Sequence, residues 1–213
     1  MARHIGVPKA VAKQGKKHDR AIRPCGSSRC IDWATIERVQ LADAIRALLT
    51  TDPWERFFDI TEPTYSELTL ELCSTFHLQV VMMNNDYPGT IHFRLGVLVR
   101  AMSVPEFGVA QGLYTNEFME EEDMNALPHN IHISPFSCWK ALAPLSSTYD
   151  PSRSKASALA PSLRYLHAIL AHTLTGRIES TGVVNSHDAY YLWCMANAHV
   201  TDLAYFIAFA IRH

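Results

Sequence analysis

FRLGVLVRAMSVPEFGVAQGLY, residues 93–114, joins two short β-prone segments at Gly96 and then turns into a helix. Ser103 stands where a helix N-cap belongs, Pro105 falls in the first turn and Gly112 takes the C-terminal capping position. A block of this kind is a packing unit, because no set of nucleophile, base or metal ligand is arranged along it.

Working upstream, residues 77–83 are β-prone and residues 90–95 read as a returning strand. Asn84, Asn85, Asp86, Pro88 and Gly89 form the turn cluster between them. The spacing predicts a hairpin, extended to a meander by a third strand over 97–102, with Phe93 and Leu95 supplying core contacts. Further upstream, Asp32 caps a predicted helix whose apolar positions Ile36, Val39, Leu41, Ile45, Leu48 and Leu49 recur at helical spacing. A turn carrying Trp54, Phe57 and Phe58 is expected next. A second helix follows from Pro63 and Thr64, with Leu68, Leu70, Leu72, Cys73 and Phe76 as its buried side.

Downstream, Glu117, Glu120, Glu121, Glu122 and Asp123 read as a solvated helical face, and Ser134 caps a short helix holding Trp139. The Ser-, Ala- and Pro-rich segment 143–161 is the best candidate for a flexible internal loop. Three helices are predicted near 162–175, 186–196 and 200–212. Leu166, Ile169, Leu170, Tyr191, Leu192, Phe206 and Ile207 are expected to pack together. The fold class is therefore mainly α with a small antiparallel β hairpin or meander (α+β), a multi-helical single domain over residues 31–213. Its last helix runs into His213 without a terminating Gly or Pro, which reads as a chain truncated at the C-terminus.

Residues 1–30 form a basic arm holding eight of the 19 Lys and Arg against one acid, Asp19. The arm is thus about +7 and, with a total of -2, the remainder about -9. It has no aromatic residue and little apolar periodicity, so it is expected to be disordered alone. Arg3, Lys9, Lys13, Lys16, Lys17, Arg20, Arg23 and Arg29 are its candidate nucleic-acid contacts, since cations on a flexible chain neutralise phosphates without needing shape. The alternative is a solvated tail.

No apolar stretch of secretory-signal type follows those charges, and the longest apolar run, 203–211, is far shorter than the about 20 residues of a membrane helix. Five scattered cysteines give no disulfide framework and suit a reducing compartment, nucleus or cytoplasm, without secretion or membrane insertion. Cys73, Cys138 and Cys194 read as small core side chains. His167 and His172 are five apart and point to different sides of a helix, while His129 and His132 lack a third ligand, so no metal or other cofactor is expected. Gly-x-Ser-x-Gly elbows and phosphate loops are absent from the sequence. Asp32, Asp43, Asp52, Asp59, Asp188 and Asp202 are explained as caps or exposed positions. The Tyr190, Tyr191 and Trp193 cluster could stack bases, but its helical spacing places it in the core.

The sequence of 93–114, together with RYLHAILAHTLTGR at 164–177 and HDAYYLWCM at 187–195, resembles a domain found in plant retroelements. The family is the plant transposon protein domain, close to the gag-like first open reading frame product of Athila-type retrotransposons. The resemblance covers residues 29–213. It departs where members carry a Gly pair and this chain has Gly96 and Val97, and where members carry Leu and this chain has Gln111. Members also continue beyond the position of His213. The resemblance implies a non-enzymatic, gag-like structural or nucleic-acid-associated protein, here a decayed partial copy, that self-associates and binds RNA or DNA non-specifically through the arm. A host-captured protein-interaction module is the first alternative, and a fragment of a metal-dependent transposase or recombinase the second.

Overall fold

The computed structural model describes residues 24–25, 31–50, 52–59, 64–79, 89–124, 126–146, 148–174 and 182–212. Around the deciding stretch, β3 (His77–Gln79), β4 (Thr90–Leu95) and β5 (Leu98–Ser103) form an antiparallel meander in the order β3-β4-β5. Leu78 stands opposite Ile91 and Leu95 opposite Leu98, which leaves Gly96 and Val97 as a two-residue loop. Gly96 has φ +60° and Val97 a negative φ, the sign pattern of the type II′ turn that suits twisted strands. Leu78 and Ile91 are the buried residues of the sheet, whereas Phe93 and Leu95, expected in the core, are half-buried.

The chain then enters α5 (Val104–Ala110) through a capping box. Ser103 Oγ accepts from the Glu106 N–H, and Glu106 Oε2 accepts from the Ser103 N–H at 2.6 Å. The Ser103 N–H, and after it the Ser103 hydroxyl donating to the same oxygen at 2.9 Å, hold the Glu106 carboxyl below its usual range. α5 ends on Gly112 at φ +71°, whose N–H bonds Val109 O while the Leu113 N–H bonds Gly108 O, each at 2.9 Å. This is a Schellman cap built on glycine.

The predicted single helix beyond Asp32 is instead two, α1 (Trp33–Arg38) and α2 (Ala42–Arg46). Asp32 caps α1 as expected, accepting from the Thr35 N–H at 3.1 Å. Gln40 divides the pair with φ +58°: its N–H bonds Glu37 O and the Leu41 N–H bonds Ile36 O, both at 3.1 Å. This is the same cap on a residue that carries a Cβ, at a conformational cost of roughly 1–2 kcal/mol. Val39 faces solvent as a result.

Two further expectations are corrected. Trp54, Phe57 and Phe58 lie on a helix, α3 (Asp52–Asp59), not on a turn, and all three are buried because their spacing gives one face. α4 (Ser66–Thr75) is a helix as predicted, but Leu68, Leu70 and Cys73 are exposed. It lies against β4 through polar contacts. Thr75 Oγ1 bridges the backbone N–H and C=O of Arg94, and Glu71 Oε1 accepts from the Gly96 N–H at 2.9 Å. The start of α4 is preceded by β2 (Thr64–Tyr65), which pairs antiparallel with β1 (Pro24–Cys25).

The remaining helices are α6 (Asn116–Glu121), α7 (Pro135–Leu142), α8 (Pro161–Thr173), α9 (Ser186–Ala196) and α10 (Leu203–Arg212). With ten α-helices and a small three-stranded antiparallel sheet among the described residues, the fold is mainly α with a β meander. α9 packs between α7 and α8, while α10 lies on α5 and β3 and so joins the helical half to the meander. The expected C-terminal contacts are observed, with Leu166, Leu170, Tyr191, Leu192, Phe206 and Ile207 buried and Ile169 half-buried. Each fully buried side chain of this size stabilises by about 1.5–3 kcal/mol.

The described residues of segment 143–161 form one short 3-10 turn, Ala156–Ala158, before α8 begins at Pro161. They are fastened by bonds from the Val184 N–H to Ser154 O and from the Ala156 N–H to Gly182 O.

Candidate functional site

Polar side chains converge where the loop before α7 meets the turn between α9 and α10. His132 Nδ1 lies 3.0 Å from the Tyr190 hydroxyl, which lies 3.4 Å from Thr201 Oγ1. Thr201 in turn donates to Pro128 O at 2.8 Å. His199 stacks at a tilt on His132, with ring centroids 5.1 Å apart, and on Trp193 at 5.2 Å. It is brought there by a third Schellman cap, in which Ala198 has φ +49° and the His199 N–H bonds Cys194 O at 2.9 Å.

Burial, and then the neighbouring His132, push the His199 ring below the usual histidine range. Burial likewise holds Tyr190 well above the ordinary tyrosine range, so its hydroxyl stays neutral and relays hydrogen bonds. Beside this cluster opens a pocket of about 420 Å³ lined by Glu122, Asp123, Pro128, Asn197 and His199. Among the described residues no group of three or more His, Cys, Asp or Glu is placed to hold a metal ion.

Two buried carboxylates do more than the capping read from the sequence. Asp188 joins a capping box with Asn185 and also meets His167 Nε2 at 3.2 Å, both side chains being fully buried. Asp202 Oδ1 accepts from the Tyr205 N–H at 2.9 Å and from the Tyr114 hydroxyl at 2.8 Å. The same hydroxyl accepts from the Ala204 N–H at 3.0 Å. Burial raises the Asp202 carboxyl above its usual range. Both pairs link residues far apart in the chain, and no local pattern announces them.

Cys138 and Cys194 are core thiols, pushed by burial up to about 11 and about 12, and stay protonated and unreactive. Tyr190 and Tyr191 are buried in the core and Trp193 is half-buried, as their helical spacing predicts.

The surface offers two interaction features. Among the described residues β5 is an edge strand, with Val99 76% exposed and Val97 and Leu98 exposed beside it. Its Leu98, Arg100 and Met102 bond towards β4, so the backbone groups of Val99 and Ala101 point outward. Leu68 and Leu70 of α4, the helix that lies against β4, are exposed as well.

The second feature is a pocket of about 200 Å³ between α1, α2 and α3. Ile31, Trp33, Leu49 and Phe58 wall it together with Arg46, and Glu55 and Asp59 stand at its rim. Arg46 lies over the Trp33 ring, 4.9 Å from its centroid, and pairs with Glu37 and Asp43.

The sequence-derived nucleic-acid contacts Arg3, Lys9, Lys13, Lys16, Lys17, Arg20, Arg23 and Arg29 lie outside the described residues. Glu117, Glu120, Glu121 and Asp123 are exposed on and just after α6, as a solvated acidic face requires. No helix among the described residues is long and apolar enough to cross a membrane. Comparison with protein-family models, curated proteins and solved structures found no match to this chain, so no family or relative supplies it with a site.

Proposed function

We propose that this chain is a non-enzymatic, gag-like protein of retroelement origin that self-associates and holds nucleic acid through its basic arm, inside the cell in nucleus or cytoplasm. The observation that carries this reading is the division of charge, about +7 over residues 1–30 against about -9 over the rest. A net charge near zero would hide such an arrangement, yet phosphate responds to the local density of cations. The acidic body repels phosphate and leaves the arm as the contact. The outward backbone groups of β5 support the self-associating half of the reading, because an apolar edge strand is a template for pairing with another chain.

Filter binding of the full chain and of a deletion that lacks residues 1–30 tests the first half. With about six phosphates contacted, affinity falls by roughly three orders of magnitude between 50 and 200 mM salt, and the deletion binds nothing. Equal affinity of the two chains, or a flat salt response, removes nucleic acid. The second reading, a host-captured protein-interaction module, then stands on the β5 edge.

A further inference from the structure

The pocket between α1, α2 and α3 combines an aromatic and aliphatic wall with carboxylates at its mouth. Glu55 and Asp59 are exposed and form no ion pair among the described residues, while Arg46 already engages Glu37 and Asp43. Over residues 32–59 the sequence carries six acids and three arginines. A ligand that satisfies such a site has a methylene stem ending in a cation, which is the chemistry of lysine and arginine.

The N-terminal arm supplies that chemistry and is tethered at the site. Ile31, where the arm joins the body, is itself part of the pocket wall. The arm also passes through β1, held against Thr64 and Tyr65. Thr64 lies five positions after Asp59 along the chain, a reach of at most about 18 Å. The arm therefore leaves the body close to the acidic rim, and its local concentration there is high.

We infer that this pocket is an intramolecular dock for the basic arm, in which a lysine or arginine of residues 1–23 lays its stem on Leu49 and Phe58, clear of the Trp33 face that Arg46 covers, and its charge between Glu55 and Asp59. Docking draws those cations away from any other anion. The same residues then serve two alternating contacts, the body's own carboxylates and an external polyanion.

Limited trypsin cleavage of the intact chain tests the dock, read at Lys13, Lys16, Lys17 and Arg20 and normalised to a free peptide of residues 1–23 under the same conditions. At about 50 mM salt the arm is cut about five-fold more slowly than the peptide, the size expected for two rim charge pairs. The difference disappears in wild type at about 500 mM salt, where the screening length is roughly 4 Å. It also disappears at low salt in the double variant Glu55→Gln with Asp59→Asn.

Equal cleavage of arm and peptide at low salt overturns the dock, as does protection that survives high salt or the double variant. Loss of protection to the same degree in Glu117→Gln with Glu120→Gln shows a diffuse attraction to the acidic body and also overturns it. Protection that grows with protein concentration assigns the pocket to another copy's arm, against the intramolecular contact inferred here. Nucleic acid takes no part in the measurement, so failure of the phosphate-binding reading leaves its outcome unaffected.

Discussion

α9 and β5 are both apolar in sequence, and the fold treats them oppositely. α9 is covered by α7 on one side and α8 on the other, and Tyr190, Leu192 and Cys194 are fully buried. Among the described residues β5 pairs with one strand, β4, and Leu98 to Ala101 are exposed. Apolar composition therefore says which segments gain from cover, while the count of neighbouring elements decides which receive it. The helical half carries the larger buried core, and the edge of the meander is left exposed.

The comparison breaks most readily at the extremes. Leu192→Ala costs about 2–5 kcal/mol in denaturant unfolding, against less than about 0.5 kcal/mol for Leu70→Ala on α4. Equal costs would place the sheet flank in the core and sink the contrast. Gly108 tests the junction between the halves, because a Cβ there would collide with the Tyr114 ring and lie 3.0 Å from the Ala204 Cβ. Gly108→Ala is expected to cost about 1–3 kcal/mol, and an unchanged melting temperature would mean that α10 does not press on α5 this closely.

The three left-handed caps give a smaller effect with opposite signs. Gln40→Gly and Ala198→Gly each stabilise by up to about 1 kcal/mol, whereas Gly112→Ala destabilises by a similar amount. Destabilisation in all three would show that the side chains at positions 40 and 198 contribute more than their backbone cost. Smallest in stability is Val99→Lys on the open edge, within about 0.5 kcal/mol. It nonetheless shifts sedimentation towards monomer, since a lysine guards an edge strand against pairing. Unchanged association would clear β5 of that role.

The same contrast explains what could be read from the sequence. Ser103 with Glu106, Gly112 and the Gly96 turn announce themselves by residue type, and the meander and α5 follow the expected order. Gln40 and Ala198 adopt the backbone conformation of Gly112 without glycine's signature, so the division of α1 from α2 has no marker at position 40. Trp54, Phe57 and Phe58 do carry a helical spacing, but over eight residues it is too short to stand out from an aromatic turn. The leucines of α4 suggest a buried face, and the structure instead fastens that helix by Thr75 and Glu71 to backbone groups of β4. The His132, Tyr190 and His199 cluster depends on residues brought together from distant parts of the chain. Periodicity and capping act over one or two turns and contain no such information.

The bond from Tyr114 to Asp202 spans 88 residues, which gives it a meaning in time as well as in space. At a synthesis rate of about 5–20 residues per second, Asp202 is polymerised roughly 4–18 s after Tyr114. Throughout that interval the nascent chain holds the meander and α5 with the surface intended for α10 bare, including the Tyr114 hydroxyl that the Ala204 N–H and Asp202 will satisfy. The seam between α5 and α10 therefore closes only after α10 has been made, among the last contacts of the fold to form.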